Sequence, residues 1–146
     1  MPEADRPYSA LSFDYGTRTI GVAVGQSVTG SATPLAPLTA RDGVPRWESV
    51  AALLDEWQPR LLVVGQPLNM DGTESELSQR AARFARRLEG RFRLPVRLVD
   101  ERLSSFAARG ELLARGRRDF HAAGVDGLSA ALILQDYWRQ QGLLID

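Results

Sequence analysis

The sequence has no cysteine, no lysine, a single histidine (His121) and no long apolar run. Without cysteine the chain can form neither a disulfide nor a zinc site built on thiolates. No segment approaches the roughly 20 apolar residues that a membrane-spanning helix needs, and the polar residues 1–5 are unlike a signal peptide. We therefore expect a soluble, cytoplasmic protein with no membrane partner, and we interpret His121 as an ordinary loop histidine.

The composition is typical of one globular domain. The chain has 146 residues, of which 44% are hydrophobic and 25% are charged, and this is enough apolar material for a packed core. No repeat, low-complexity segment or domain boundary interrupts the sequence. We expect residues 1–146 to form a single domain in which residues 1–7 are flexible.

The charges are unevenly distributed although the net charge is zero. Residues 80–118 contain twelve arginines and four acids, whereas residues 1–79 contain five arginines and ten acids. One basic face on a neutral protein fits a polyanionic partner such as nucleic acid. A solvated helix face in an arginine-rich protein explains the same bias equally well. If the partner is nucleic acid, Arg83 and Arg87 are our candidates for holding its backbone.

The hydrophobic pattern predicts an α/β fold. Predicted strands cover residues 8–15, 20–25, 31–38, 61–64 and 96–100, and predicted helices cover residues 46–58, 74–91, 104–114 and 126–140. Three antiparallel strands come first, and two helix-linked strands then join the sheet in parallel. The prediction is a five-stranded mixed sheet with helices on both faces, and Pro34 and Pro37 place the third strand at its edge.

Three acidic residues lie where such a fold would bring them together. Asp14 lies near the end of the first strand, Glu101 follows the last strand, and Asp126 lies in the first turn of the last helix. Each acid alone has a simpler explanation, such as a turn, a surface ion cluster or a favourable helix start. Together they would repel one another unless a divalent cation lay between them. The pattern therefore predicts a Mg²⁺ or Mn²⁺ site, which proteins commonly use for phosphate chemistry.

Four segments resemble the motifs of the YqgF family, in order and at matching spacing. They are Asp14-Tyr15-Gly16-Thr17 with the residues up to Ala23, Gly65 to Gly72, Asp100 to Ser104, and Val125 to Leu134. The resemblance covers about residues 8 to 141. It implies a ribonuclease H-like fold, a similarity to Holliday junction resolvases of the RuvC type, and a nuclease activity in pre-16S rRNA processing.

The resemblance also implies the roles of the three acids. Asp14, Glu101 and Asp126 would be the catalytic and metal-binding residues of a metal-dependent endonuclease, with two Mg²⁺ (or Mn²⁺) ions bridging the scissile phosphate. Asp100 and Glu101 would point to opposite faces of the strand, and the resemblance favours Glu101 as the ligand. The implied substrate is structured RNA, the 5′ end of pre-16S rRNA. The alternative is branched DNA, where two symmetric cuts would need a homodimer.

Further residues near the motifs are candidates for substrate binding. Gly16 would allow a phosphate to approach the backbone, and Arg18 belongs to the same motif. Asn69 and Asp71 follow a buried parallel strand, where α/β sheets place ligands, although an Asx-type turn explains them equally well. Arg102 would either clamp a phosphate or pair with a carboxylate.

Two other classes of function fit parts of the sequence. Residues 14–17 also resemble the first phosphate loop of the actin, sugar-kinase and heat-shock ATPase group, which clamps a nucleotide between two domains of this fold. One domain of this length lacks the second half of that clamp. The other class is a non-catalytic nucleic-acid-binding factor that has kept the fold.

Overall fold

The computed structural model describes residues 6–101 and 124–142, and side chains are described from residue 127 onward in the second range. The strands are β1 (Ser9–Asp14), β2 (Thr19–Gln26), β3 (Thr33–Arg41), β4 (Val44–Pro45), β5 (Leu61–Gln66) and β6 (Val96–Asp100). The helices are α1 (Trp47–Trp57), α2 (Glu76–Phe92) and α3 (Gly124–Gln140). The predictions that lie outside the described residues are the helix at 104–114, Arg102, His121 and most of the N-terminal segment 1–7.

The six strands form one mixed sheet in the order β4-β3-β2-β1-β5-β6. β1 pairs antiparallel with β2 and parallel with β5, which pairs parallel with β6. The predicted count of five strands is therefore wrong by one. Asp42 and Gly43 both have positive φ, at 50° and 82°, and they turn the chain back so that β4 pairs with the end of β3. A strand of two residues is too short to show an alternating pattern in the sequence.

One face of the sheet packs against α1 and α2. Phe13 of β1 meets Phe84 of α2 edge to face, with 5.8 Å between the ring centroids. The helical spacing of Leu77, Ala81, Phe84, Ala85 and Leu88 predicts that they form the apolar face of α2. This prediction is wrong at Leu77, which is 39% exposed. Ser78 is buried in its place because it forms a capping box with Ser75 at the helix start. This capping box also explains why the helix begins two residues later than predicted.

The other face of the sheet packs against α3. The helical spacing of Trp138 predicts that it packs in the core rather than stacking on bases. This is confirmed, because Trp138 is fully buried and its indole Nε1 donates a hydrogen bond of 2.8 Å to the carbonyl oxygen of Ser31. Its ring also lies 5.8 Å from that of Tyr8, just before β1. Helices thus cover both faces, as predicted. In the described part of the chain no helix is long and apolar enough to cross a membrane.

Candidate active site

Asp14 is the last residue of β1, and its neighbours fix the face on which it lies. The buried hydroxyl of Ser12 donates a hydrogen bond of 2.7 Å to the carbonyl oxygen of Ala130 in α3. Phe13 points the opposite way, against α2. Since side chains alternate along a strand, Asp14 shares the α3 face with Ser12. Asp14 is half-buried, so its carboxylate is held by the fold yet open to solvent.

Glu101 follows β6 and reaches the same face of the sheet. A side chain built on Gly65 of β5 would place its Cβ 3.1 Å from the carboxyl carbon of Glu101 and 2.5 Å from Cδ1 of Ile133 in α3. The carboxylate of Glu101 therefore lies over Gly65 on the α3 face. Asp100 precedes it and aligns with Gln66 in the parallel ladder, so strand alternation places it on the α2 face.

Gly65 forms the floor between the two acids. The ladder pairs Phe13 with Val64, so the next step brings Asp14 beside Gly65, while β6 flanks Gly65 on the other side. Neighbouring strands are about 4.8 Å apart, so β1 and β6 are separated by about twice that distance. A glycine leaves this gap open, and the longer side chain of a glutamate can extend into it. Gly65 was not among the site residues predicted from the sequence, although a glycine at the end of a buried strand can indicate close approach of another group.

The start of α3 is level with Asp14. α3 runs antiparallel to β1, since Ala130 contacts Ser12 and Trp138 contacts Tyr8. A helix advances about 1.5 Å per residue and a strand about 3.3 Å, so four helical residues match two strand residues. Asp126 precedes Ala130 by four residues, and its backbone is therefore level with Asp14. Its side chain lies outside the described atoms.

The two described carboxylates suit a hard divalent cation. Carboxylate oxygens are the ligands that Mg²⁺ prefers, and Asp14 and Glu101 present them on one face of one sheet edge. Among the side chains that the structure describes, no group of three or more His, Cys, Asp or Glu residues gathers in one place. Asp126 remains our predicted third ligand.

The predicted substrate contacts of the β1–β2 hairpin lie at the same end of the sheet. A Cβ on Gly16 would overlap the carbonyl oxygen of Thr19, so the hairpin itself requires a glycine there whether or not a phosphate approaches. Arg18 is exposed, and its carbonyl oxygen accepts a hydrogen bond of 2.8 Å from the amide of Ala40. This bond fixes the hairpin tip beside β3.

The loop after β5 is closed by its own side chains. The carboxylate Oδ1 of Asp71 accepts hydrogen bonds from the amide and the hydroxyl of Thr73, at 3.0 and 2.6 Å. The side-chain amide of Asn69 donates to the same hydroxyl oxygen at 3.0 Å. This is the Asx-type turn that the sequence left open. Both side chains are exposed, and a substrate role for them stays a prediction.

Arg83 and Arg87 do not lie on the face of the carboxylates. Both line a groove of about 210 Å³ with Tyr15 and Trp47 on the side of the sheet that α1 and α2 cover. Tyr15 packs against Phe84 of α2. The sheet separates these two arginines from Asp14 and Glu101, and their role in holding a nucleic-acid backbone stays a prediction.

The order of the strands and the helices on both faces of the sheet define the fold class, and solved structures share this fold. RuvC of Thermus thermophilus in complex with a Holliday junction substrate aligns with a TM-score of 0.61 over 92% of this chain and 97% of that chain, at 17% identity. The fowlpox virus Holliday junction resolvase aligns with a TM-score of 0.57 over 91% and 99%, at 13% identity. The predicted ribonuclease H-like fold is confirmed.

The chain belongs to the RuvX family, described as Holliday junction resolvase, whose sequence profile matches residues 8–140. Proteins of Pseudomonas paraeruginosa and Azotobacter vinelandii are each 58% identical over 136 residues, which is 92% of this chain and 94% and 96% of theirs. Both are named "Putative pre-16S rRNA nuclease". The resemblance to the YqgF family, which is the RuvX family, is thereby confirmed, and the chain is a member of a nuclease family.

Proposed function

We propose that the protein is a metal-dependent nuclease that hydrolyses phosphodiester bonds and processes the 5′ end of pre-16S rRNA in the cytoplasm. The observation that carries the chemistry is the pair of carboxylates, Asp14 and Glu101, on either side of Gly65 on one face of the sheet. The names of the relatives support the RNA substrate. The partner is a nucleic acid in both alternatives, whether the protein acts on pre-16S rRNA or on a Holliday junction.

In this proposal Asp14, Glu101 and Asp126 hold Mg²⁺ or Mn²⁺. A cation held by these residues would supply activation of a water molecule and stabilisation of the charge that develops on the scissile phosphate and the leaving oxygen. The chain itself contributes position. The hydrogen bond from Ser12 to Ala130 ties β1 to α3, and it sets the strand that carries Asp14 against the helix that carries Asp126. The absence of a side chain at Gly65 leaves space above the sheet for the phosphate.

Branched DNA is the second candidate substrate, because the family is described as Holliday junction resolvases. The experiment is to incubate the protein with a pre-16S 5′ fragment and with a four-way DNA junction, each with Mg²⁺, Mn²⁺ or EDTA. We expect metal-dependent cutting of the RNA that EDTA abolishes. Cutting of the junction alone would show that branched DNA is the substrate and would contradict the RNA substrate. Two symmetric cuts in the junction would require a homodimer. No cutting of either substrate by folded protein would favour the non-catalytic binding role.

Gly65→Ala tests whether the open floor between the acids matters. The new methyl group would contact Cδ1 of Ile133 and the carboxyl carbon of Glu101, at 2.5 and 3.1 Å before relaxation. We expect a loss of about 1–3 kcal/mol of stability from overpacking and a loss of cleavage of about tenfold as the Glu101 carboxylate is displaced. Thermal or denaturant unfolding and cleavage rates measure the two effects separately.

The double variant Gly65→Ala/Ile133→Val is the matched control. Valine lacks Cδ1 of Ile133, so most of the lost stability should return, while cleavage stays low because the contact with Glu101 remains. If cleavage recovered together with stability, the glycine would serve only the packing of α3. Full activity in Gly65→Ala itself would show that the phosphate does not use this space.

A further inference from the structure

We infer that the groove beside α2 binds the phosphodiester backbone of the nucleic acid at a distance from the carboxylates, on the opposite face of the sheet. We call it the arginine groove, and we define it by Arg80, Arg83, Arg87, Tyr15 and the turn at residues 42–43. The inference rests on the proposed function for the identity of the polymer. It adds a second contact surface that the carboxylate site does not include.

The charge of the arginine groove is strongly positive. Three guanidinium groups line it, and Asp42 is the one acid among the described residues that line it. Asp42 is engaged by Arg80, whose Nη2 donates to its carbonyl oxygen at 2.7 Å and to its carboxylate at 3.2 Å. The hydrogen bond to the side-chain carboxylate of Asp42 raises the pKa of Arg80. Within the described residues neither Arg83 nor Arg87 forms an ion pair, so both are available to phosphate oxygens.

The groove has a fixed wall. The hydroxyl of Tyr15 donates a hydrogen bond of 3.1 Å to the carbonyl oxygen of Gly43. A Cβ on Gly43 would overlap that hydroxyl and lie 3.0 Å from Nη2 of Arg80, so the turn presses directly on both side chains. Its φ of 82° also requires glycine. Arg80 is thereby held against the turn, which gives the groove one guanidinium group in a fixed position.

The shape favours a chain of phosphates over a single nucleotide. Arg80, Arg83, Arg87 and Arg91 follow one another at intervals of three and four residues, which places them in a row along α2. The guanidinium of Arg91 lies 4.2 Å from the ring centre of Trp47, so the row continues onto an aromatic surface. A positively charged groove that follows the phosphodiester backbone is one of the features by which proteins bind single-stranded nucleic acid.

The groove and the carboxylates lie on opposite faces of the sheet at the same place, the end of β1. Asp14 and Tyr15 are consecutive residues that point to opposite faces of the sheet. Tyr15 lines the groove, whereas Asp14 lies beside Gly65 on the α3 face. A backbone that passes across this end of the sheet would contact the groove on one side and reach the carboxylates on the other. The groove would then anchor the substrate on the opposite face of the sheet from the bond that is cut.

The test compares two double variants that each remove two positive charges. Arg83→Gln/Arg87→Gln alters the groove, and Arg86→Gln/Arg93→Gln alters one exposed arginine on another side of α2 and the exposed arginine that caps its C-terminus. Binding of a fluorescein-labelled pre-16S 5′ fragment is measured by anisotropy in EDTA, so that no cleavage occurs. We expect the groove variant to bind at least about tenfold more weakly, and the salt dependence of log K to become shallower by about 1.4, at about 0.7 per phosphate contact.

The control variant should change the affinity by less than about threefold, because exposed charges away from the substrate are screened by salt. Equal losses in both variants would mean that only net charge matters and would overturn the groove, as would unchanged binding. Tight, groove-dependent binding of free ATP would overturn it in favour of a nucleotide site. These measurements need no cleavage, so they test the groove even if the proposed nuclease reaction fails.

If the protein does cut the fragment, kinetics give a second readout. The groove variant should raise KM and leave kcat within about threefold, because an interaction made equally with the bound substrate and the transition state affects KM alone. A fall in kcat as large as the rise in KM would place these arginines in the reaction itself and overturn a remote anchoring role.

Discussion

Asp14→Asn is expected to abolish cleavage while nucleic-acid binding is kept or strengthened. The substitution preserves the shape of the side chain at the end of β1 but removes its negative charge, and with it a ligand for a divalent cation. Loss of groups that merely support a metal ligand lowers activity by about 10- to 100-fold, so we expect at least a hundredfold loss here. Binding should not fall, because the variant removes one charge that repels the phosphate. Single-turnover cleavage and anisotropy in EDTA measure the two effects.

Asp55→Asn is the control for this experiment. Asp55 is an exposed residue of α1, on the far face of the sheet, and its substitution should leave cleavage unchanged. Thermal unfolding of both variants shows whether the fold is intact. If folded Asp14→Asn protein cut the substrate at the rate of the wild type, Asp14 would serve only the hairpin turn. The proposed metal site would then not include Asp14.

The parts of the fold that the sequence predicted are those with a strong local signal. The continuous apolar run at 61–64 identified β5, which is buried on both faces, and the alternation at 8–15 identified β1. The element that was missed, β4, exists because the turn at residues 42–43 folds the chain back on itself. Its two residues carry no pattern of their own, and tertiary pairing alone creates the strand.

The face of the sheet on which Asp14 and Glu101 lie could be predicted from the sequence, but the face on which Arg83 and Arg87 lie could not. Asp14 and Glu101 stand at strand ends, where alternation fixes the face of a side chain. Arg83 and Arg87 lie on a helix whose rotation depends on packing, and α2 buries Ser78 where the sequence predicted Leu77. The partner of Arg80 is the turn at Asp42, 38 residues away in sequence, and no local pattern links the two.

Glu101→Gln and Asp100→Asn are expected to have opposite outcomes although the two acids are adjacent. Glu101 lies over Gly65 on the α3 face, whereas the strand register places Asp100 on the α2 face. We expect Glu101→Gln to lower cleavage at least about a hundredfold, by the same loss of a charged ligand. Asp100→Asn should retain cleavage within about threefold. Single-turnover rates in saturating Mg²⁺ measure both, and a Mn²⁺ titration followed by calorimetry reports the loss of metal affinity in Glu101→Gln alone.

Glu101→Asp then separates charge from reach. The aspartate keeps the negative charge but is one methylene shorter, and β6 is separated from β1 by the full width of β5, about twice 4.8 Å. If the site depends on a carboxylate that extends over Gly65, Glu101→Asp should lose most of the activity that Glu101→Gln loses. Retained activity would show that local charge suffices and that the cation lies close to β6. A large loss of cleavage in Asp100→Asn with little loss in Glu101→Gln would reverse the assignment. It would mean that Asp100, and not Glu101, lies on the α3 face at the end of β6.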